Sequence, residues 1–292
     1  MDAAAVGIVV ATRDRRDGLL ETLGRLLALP DAPPVVVVDN GSSDGTPEAV
    51  RAAFGDAVAV MALGENRGAA ARTAGARALA TPYVAFSDDD SWWAPGALSR
   101  AAAVLDAHPR LGLLAARVLV GPGERLDPTC AAMAASPIAA ERPLPGPAVL
   151  GFVACGAVVR RDALLAAGGF DPRYGVGGEE RRLAFDLAAL GWELAYVPEV
   201  VAQHHPAAGP RPGRLRRQLR NDLWSAWLRR PAPSAARETG RLLRAAAGRE
   251  PRTAVAALAD AVAGTRWVLR ERRVVPPPVE RAVRALEAAD RR

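Results

Sequence analysis

The sequence predicts an α/β fold in which helices sandwich a mostly parallel sheet, followed by a helical, arginine-rich extension. Apolar runs of strand length alternate with stretches whose apolar residues recur at helical spacing, at intervals of about 25 residues. This alternation is typical of right-handed βαβ units, whose helices cover both faces of the sheet. We therefore expect an α/β domain over residues 1–210 and a helical extension over residues 211–292.

Each element of the first half is predicted from its own pattern. Strands are expected from apolar runs at residues 6–12, 35–38, 58–63, 83–87, 111–120 and 151–160. Helices are expected from periodic apolar residues at 17–29, 46–54, 68–80 and 95–107. Thr46 is the expected N-cap of the second helix, because Pro47 follows it at the first helical position.

The second half of the chain is less regular. Residues 121–150 are rich in Gly, Pro and Ala without periodicity and predict a long functional loop. A short helix at 162–167, a helix at 179–190 and an extended segment at 192–203 are expected to follow. The extension predicts helices at 213–229, 234–247, 252–271 and 278–290.

Charge is distributed unevenly along the chain. The net charge is +6, but residues 211–292 hold 20 arginines against eight acidic residues, and the rest of the chain is acidic. We expect the basic extension to pack as helices against the α/β domain. Its Arg216–Arg217 and Arg229–Arg230 pairs are also candidates for peripheral contact with an anionic membrane. Nucleic acid is not the expected partner, because few aromatic residues interleave these arginines.

The cysteine content and the hydropathy of the sequence indicate the cellular compartment of the protein. Cys130 and Cys155 have no metal-binding spacing, and two cysteines in 292 residues do not form a disulfide framework. Residues 1–6 have no basic region typical of a signal peptide. No apolar run reaches the length of a membrane-spanning helix. These observations predict a cytoplasmic protein, with peripheral contact at the inner face of the membrane as an option.

Three consecutive carboxylates, Asp88, Asp89 and Asp90, follow the apolar strand at 83–87 and form what we term the acidic triplet. Adjacent anions at the edge of a core repel one another unless a cation binds there. Oxygen ligands suit Mg²⁺ or Mn²⁺, which commonly bridge the phosphates of a nucleotide. The alternative is a solvated acidic turn. We expect a divalent metal site.

Other polar residues also lie at predicted strand ends. Thr12 and Arg13 end the first strand, and Asp39 and Asn40 end the second. Asp39 is placed to contact a base or ribose, although it could instead shape an Asx turn. Arg72, in the third helix, faces either phosphates or the acidic triplet, and a structural ion pair explains it equally well.

Two further pairs are candidates for chemistry. Glu179 and Glu180 open a helix, and either could be a general base whose pKa is raised by burial or by neighbouring carboxylates. Stabilisation of the helix dipole explains them equally well. His204 and His205 end an extended segment, where His204 could be a metal ligand. The alternative for this pair is an ordinary surface position.

Taken together, these motifs resemble the family 2 glycosyltransferases, inverting enzymes of the GT-A fold. The matching stretches cover about residues 6–205 and include Val36-Val37-Val38-Asp39-Asn40-Gly41-Ser42-Ser43-Asp44-Gly45-Thr46, Glu65-Asn66-Arg67-Gly68, Phe86-Ser87-Asp88-Asp89-Asp90 and Gly168-Gly169-Phe170-Asp171. The resemblance implies a nucleotide-diphosphate sugar as donor. The acceptor is left open among a glycan, a lipid-linked molecule and a small molecule.

The resemblance also implies a role for each candidate residue. Donor contacts fall to residues at the strand ends and in the third helix: Thr12, Arg13, Asp39, Asn40, Arg72, Asp88 and Asp89. Metal ligands would be Asp88, Asp90 and His204, binding Mg²⁺ or Mn²⁺. The catalytic base would be Glu180, with Glu179 beside it.

The sequence departs from the family pattern in places. Glu179-Glu180 stands where the family usually has Glu-Asp, and Thr73 replaces an Asn. The Gln-x-x-Arg-Trp motif of processive synthases is absent, so transfer of a single sugar is expected. A dinucleotide-dependent oxidoreductase is excluded by the lack of Gly-x-Gly-x-x-Gly. A nucleotidyltransferase would need a Gly-rich loop after the first strand, where this chain has Ala11-Thr12-Arg13-Asp14-Arg15. An inactive protein of the same fold that binds nucleotides or nucleic acid is the remaining alternative.

Overall fold

Nine strands form one sheet in the computed structural model, which describes residues 4–206, 213–248 and 250–289. The strands are β1 (Val6–Thr12), β2 (Val35–Asp39), β3 (Val58–Ala62), β4 (Tyr83–Asp88), β5 (Ser91–Trp93), β6 (Leu111–Val120), β7 (Arg125–Leu126), β8 (Ala157–Arg160) and β9 (Glu193–His204). Their order is β3-β2-β1-β4-β8-β6-β9-β5, and β7 pairs with β6.

The first four strands in this order are parallel, as predicted. β1 lies between β2 and β4, with Thr12 opposite Asp39 and Ala11 opposite Asp88. Three predicted site residues therefore end neighbouring strands at the same edge of the sheet. Val and Ile side chains fill both faces of β1 and β2, and every side chain in β2 is buried.

The other half of the sheet is mixed, which the prediction of parallel βαβ units missed. β8 runs antiparallel to both β4 and β6, whereas β9 is parallel to β6. β5 follows the acidic triplet at once and runs antiparallel to β9, with Ser91 opposite His204. This reversal brings His204 to the same edge as the triplet.

Helices cover both faces of the sheet. They are α1 (Arg16–Leu27), α2 (Thr46–Phe54), α3 (Ala70–Ala78), α4 (Ala97–Ala107), α5 (Pro128–Ala134), α6 (Arg161–Ala166), α7 (Glu179–Ala189), α8 (Arg214–Arg229), α9 (Ala232–Ala247), α10 (Pro251–Ala263), α11 (Thr265–Glu271) and α12 (Pro277–Ala289). One apolar core contains the leucines of α1 and α4, and the other contains residues of α3 and α7. The predicted α/β sandwich with a helical extension is confirmed.

Several element boundaries differ from the predictions. Gly45, at φ +76°, is the N-cap of α2, so Thr46 is the first helical residue instead. A left-handed φ suits glycine, and the Asp44 carboxylate accepts the Thr46 N–H. The expected loop at 121–150 contains β7 and α5. The expected strand at 151–160 begins only at Ala157, after a 3₁₀ turn, and the expected helix at 252–271 is divided at Gly264.

The C-terminal helices pack against α7, as expected of the extension. Arg181 of α7 pairs with Glu238 of α9 at 2.7 Å. Asp186, also in α7, pairs with Arg229 of α8. Arg230 is 1% exposed and is held by Glu238 at 2.6 Å, with Glu280 and Glu287 on its other side.

The burial of Arg229 and Arg230 corrects the prediction that they are candidates for contact with a membrane. Arg229 and Arg230 are locked in ion pairs inside the protein and do not face a membrane. Arg216 is exposed but pairs with Asp260 at 2.6 Å. None of the helices in the described part of the chain has the length and apolarity to cross a bilayer. The predicted domain boundary at residue 210 falls outside the described residues.

Candidate active site

A cleft of about 440 Å³ opens at the carboxyl ends of the parallel strands, and we call it the strand-end cleft. Its lining includes every predicted site residue except Asp39: Thr12, Arg13, Asn40, Arg72, Asp88, Asp89, Asp90, Glu179, Glu180 and His204. Arg15, Cys155, Arg214 and Arg217 also line it. Residues distant in the sequence are thus brought together at the edge where ligands bind in such sheets.

Asp39 and Asn40 shape the turn beside the cleft. The Asp39 carboxylate is buried and accepts the backbone N–H groups of Gly41 and Ser42 at 3.1 and 3.0 Å. The Asn40 side chain accepts the Arg67 N–H at 3.1 Å and donates to the Gly68 carbonyl at 3.3 Å. The Asx-turn interpretation of Asp39 therefore describes its contacts, and its role towards a nucleobase stays a prediction.

The acidic triplet is held by contacts at each residue. Asp89 accepts a hydrogen bond from Thr12 Oγ1 at 3.0 Å, and Arg15 approaches Asp89 and Asp90 at 3.4 and 3.5 Å. The backbone carbonyl of Asp89 accepts from Thr22 at 2.8 Å. Burial, followed by repulsion from Asp90 and Asp88, raises the pKa of Asp89 to about 6.

Arg72 pairs with Asp88, which agrees with the expectation that it holds the acidic triplet, and its contact with donor phosphates stays a prediction. The guanidinium is almost wholly buried, and Asp88 is about one third exposed. Thr73, beside it, accepts the Phe170 N–H at 2.8 Å and ties α3 to the loop before α7. The departure from the family pattern at Thr73 is thus compatible with a structural contact.

Ligand atoms suited to a metal ion converge on one side of the cleft. Single ligand atoms of Asp88, Cys155 and His204 lie within 4.8 Å of one another. His204 Nε2 lies 3.4 Å from Asp90 Oδ1, so all three predicted metal ligands meet. Carboxylate oxygens and imidazole suit Mn²⁺, and oxygens alone suit Mg²⁺. Burial raises the pKa of the Cys155 thiol, so it is neutral beside them without a metal.

Glu179 and Glu180 begin α7 after two glycines with positive φ, Gly177 and Gly178. The Glu179 carboxylate is buried and accepts the Gly177 N–H, so this side chain closes the turn. Glu180 is partly buried and also borders open space. Burial and the neighbouring Glu179 raise the pKa of Glu180 to about 8. A carboxyl group with this pKa can hold or release a proton near neutral pH.

A second depression, the side groove, adjoins the cleft and has a volume of about 980 Å³. The two share Val153, Gly177, Glu180, His204 and Arg214. The rest of the groove has a partly apolar wall formed by Val120, Leu150, Phe152 and Leu215. Glu180 and His204 therefore stand where the two spaces meet.

Sequence reasoning missed four residues of the cleft. Arg15 lies just beyond the first strand, and this position is the one local feature from which its place in the cleft could have been predicted. Cys155 reaches the triplet only through the sheet order. Arg214 and Arg217 belong to α8, which the prediction assigned to a separate extension. Within the described residues neither has an ion-pair partner, and the buried Nε of Arg217 has no hydrogen-bond partner. The His205 ring makes a tilted contact with Trp92, with ring centroids 4.6 Å apart, and its backbone N–H donates to the Asp90 carbonyl at 2.8 Å.

Parts of the chain are similar in sequence to proteins of Mycobacterium tuberculosis and Rhizobium meliloti. The N-acetylglucosaminyl-diphospho-decaprenol L-rhamnosyltransferase of Mycobacterium tuberculosis is 28% identical, over 59% of this chain and 66% of the relative's length. The succinoglycan biosynthesis protein ExoU of Rhizobium meliloti is 34% identical over 34% of this chain and 31% of its own.

Solved structures show the same fold. The mannosyltransferase PcManGT from Pyrobaculum calidifontis, in complex with GDP-Man and Mn²⁺, has a TM-score of 0.59 and 24% identity, covering 99% of this chain and 86% of its own. S. aureus TarS 1-349, in complex with UDP-GlcNAc, has a TM-score of 0.59 and 16% identity, covering 82% and 70%. These likenesses confirm the GT-A-type architecture.

The model of glycosyl transferase family 2 matches residues 7–166, which include Thr12, Asp39, Arg72 and the acidic triplet. The match covers more than half of the chain, and it agrees with the fold and with the residues gathered at the strand ends. This protein is a member of glycosyl transferase family 2.

Proposed function

We propose that the protein transfers a single sugar from a nucleotide-diphosphate sugar to an acceptor hydroxyl, with inversion at the anomeric carbon. The observation that carries this proposal is the position of Glu180, where the strand-end cleft meets the side groove. A donor in the cleft and an acceptor in the groove would meet at this carboxyl group. The solved relatives support the donor class, because their ligands are GDP-Man, UDP-GlcNAc and UDP.

The donor's nucleotide fits the wall formed by Thr12, Arg13, Asn40 and Asp89, with Asp39 as the proposed contact to the base. Asp88, Asp90 and His204 would hold Mg²⁺ or Mn²⁺, which when bound supplies Lewis-acid stabilisation to the departing diphosphate. Mn²⁺ is present in the structures of PcManGT and GalNAc-T7, which supports a divalent ion in this chain's cleft.

The charge of the donor diphosphate needs cations as well as the metal. Arg72 and Arg15 already pair with the acidic triplet, whereas Arg214 and Arg217 have no carboxylate partner in the described residues. A guanidinium fork matches phosphate oxygens, so Arg217 and Arg214 are assigned to the diphosphate. The buried Nε of Arg217, otherwise without a partner, would then be satisfied.

Glu180 is the proposed base. The acceptor oxygen forms a bond to the anomeric carbon as the bond from that carbon to the diphosphate oxygen breaks, and the hydroxyl proton passes to Glu180. Because its pKa of about 8 lies near neutrality, Glu180 accepts a proton more readily than an ordinary carboxylate. Glu179, by contrast, keeps the turn in place through its contact with Gly177.

The acceptor is proposed to be a lipid-linked sugar. The side groove offers apolar side chains next to Glu180, where a purely polar acceptor would leave them uncovered. The name of the mycobacterial relative identifies a decaprenol-linked diphosphate as its acceptor, which supports the same class for this chain.

The test is Glu180→Gln, measured with the donor that stabilises the wild type in a screen of nucleotide sugars with Mn²⁺. We expect unchanged donor affinity and a fall in transfer of at least about 100-fold, because the substitution keeps the shape and removes the base. Arg216→Met serves as the control, since Arg216 lies outside the cleft and pairs with Asp260. Full turnover by Glu180→Gln would remove the base assignment.

A further inference from the structure

The helices α10 and α11 carry an apolar surface that the protein itself does not cover. Val255, Val262 and Leu269 are 69%, 56% and 67% exposed, although large aliphatic side chains are usually buried. They are seven residues apart, which is nearly two turns of helix, so they lie along one side. Gly264 between the helices keeps αR angles (φ −82°, ψ −2°), so the stripe continues from α10 into α11.

Another side of the same helices already provides their packing. Ala254, Ala257 and Ala261 of α10 and Val268 of α11 are buried against α8 and its neighbours. The fold therefore uses the small residues for its own interior. The larger aliphatic residues on the outer side are left without an intramolecular role.

Arginines flank the exposed stripe, and together they define the outer face: Arg252, Val255, Val262, Arg266, Leu269 and Arg270. All three arginines are exposed, and no carboxylate of the described residues forms an ion pair with them. The carboxylates in these helices, Asp260 and Glu271, are paired with Arg216 and Arg173. The outer face is consequently both apolar and uniformly cationic.

We propose that the outer face docks on an anionic lipid bilayer, with its aliphatic side chains in the headgroup region and its arginines on lipid phosphates. An amphipathic helix with large apolar residues flanked by arginine has this mode of binding. A second copy of the chain fits less well, because a two-fold contact would place cationic faces against each other. The basic character of the extension thus acts through α10 and α11, and not through Arg229 and Arg230.

The outer face is also connected to the side groove. Leu215 lines the groove and is itself exposed, and Arg216 next to it pairs with Asp260 of α10. Asp260 lies on the other side of α10 from Val255 and Val262, so α10 stands between this ion pair and the outer face. Docking would therefore bring a bilayer within one helix layer of the groove, where a lipid-linked acceptor could enter.

Flotation of the full chain with vesicles tests the proposal. One set is phosphatidylcholine alone, and the other is equal parts phosphatidylglycerol and phosphatidylcholine. We expect the wild type to float with the anionic vesicles only. The double variant Val255→Asp with Val262→Asp should partition at least about tenfold less. Arg252→Gln with Arg266→Gln and Arg270→Gln should also lose binding, by about fivefold for each arginine.

Leu126→Asp is the matched control, since Leu126 is also an exposed aliphatic residue but lies in β7, which pairs with β6 in the sheet and is not part of the C-terminal helices. Flotation of the double variant at the wild-type level would overturn the proposal, as would absence of wild-type flotation. The proposal would also be overturned if sedimentation velocity without lipid showed a dimer for the wild type and a monomer for the double variant. Leu269→Asp repeats the test if the double variant loses its helical circular dichroism.

Thermal stabilisation by nucleoside diphosphate with Mn²⁺, measured on the same preparations, separates this inference from the proposed activity. A wild type that is stabilised by nucleotide but does not float would contradict the docking surface alone. A wild type that floats without nucleotide stabilisation would contradict the proposed function alone.

Discussion

Arg72 and Asp88 form an ion pair at the inner end of the acidic triplet, where the guanidinium is buried and the carboxylate is partly open to the cleft. Arg72 also lies close enough to Glu179 and Glu180 to favour their charged forms, although burial outweighs this effect and their pKa values are raised. One buried cation is thus shared by the proposed metal ligands and the proposed base, which couples the two halves of the site.

Replacing Arg72 tests this coupling. Arg72→Met leaves Asp88 without its cation, so we expect the free energy of unfolding to fall by about 2 kcal/mol. The control Arg15→Met removes a longer, more exposed pair and should lower it by less than about 1 kcal/mol. Urea denaturation in the presence of a chelator measures both. Equal effects of the two variants would contradict the central role of Arg72.

The raised pKa of Glu180 predicts a dependence of stability on pH. Between its unfolded value of 4.5 and its folded value of about 8, the folded protein keeps a proton that the unfolded chain has lost. Stability therefore falls as pH rises through this window. Glu180→Gln should match the wild type near pH 5 and exceed it in stability near pH 8, by urea denaturation without metal. Parallel pH profiles for the two proteins would refute the raised pKa.

Arg217→Met tests the assignment of the diphosphate. The substitution keeps the apolar stem that packs by Gly175 and removes the guanidinium, so affinity for a nucleoside diphosphate should fall about tenfold. Affinity for the monophosphate should change less, and Arg216→Met should change neither. Isothermal titration calorimetry with Mn²⁺ measures each dissociation constant. An unchanged diphosphate affinity in Arg217→Met would assign Arg217 to structure alone.

The shared ionic network predicts that the extension unfolds together with the α/β domain. Arg181 of α7 pairs with both Glu238 and Asp222, so Arg181→Met leaves Asp222 without its cation and Glu238 without one of its cations. The free energy of unfolding should fall by about 3 kcal/mol. The transition should stay single by circular dichroism and by fluorescence. An earlier, separate transition of the C-terminal helices would show two independent units.

The strand ends could be predicted from sequence because the apolar runs are short and each stops at a polar residue. Thr12, Asp39 and Asp88 follow such runs, and the parallel register places them side by side. Glu180 and His204 were reached through the family resemblance. From local patterns alone, stabilisation of the helix dipole explained Glu180 as well as a catalytic role did, and an ordinary surface position was the alternative to a metal-binding role for His204.

The remaining parts of the site depend on strand pairings and ion pairs between distant segments, which no local sequence pattern encodes. β5 has three residues, too few for a recognisable period, yet its pairing with β9 brings His204 to the triplet. Cys155 and Arg217 reach the cleft from a turn and from a distant helix. Arg229 and Arg230 resemble surface charges in the sequence, but their acidic partners lie in α7, α9 and α12.

The central claim is that Asp90, with Asp88 and His204, holds a divalent ion against a nucleotide diphosphate. Thermal denaturation of the wild type with UDP, GDP and dTDP, each with and without Mn²⁺, tests it most directly. We expect a rise of several degrees for one diphosphate only when Mn²⁺ is present. Asp90→Ala should abolish this rise, whereas Asp17→Ala, an exposed acidic residue nearby, should keep it. A full Mn²⁺-dependent rise in Asp90→Ala would contradict the account.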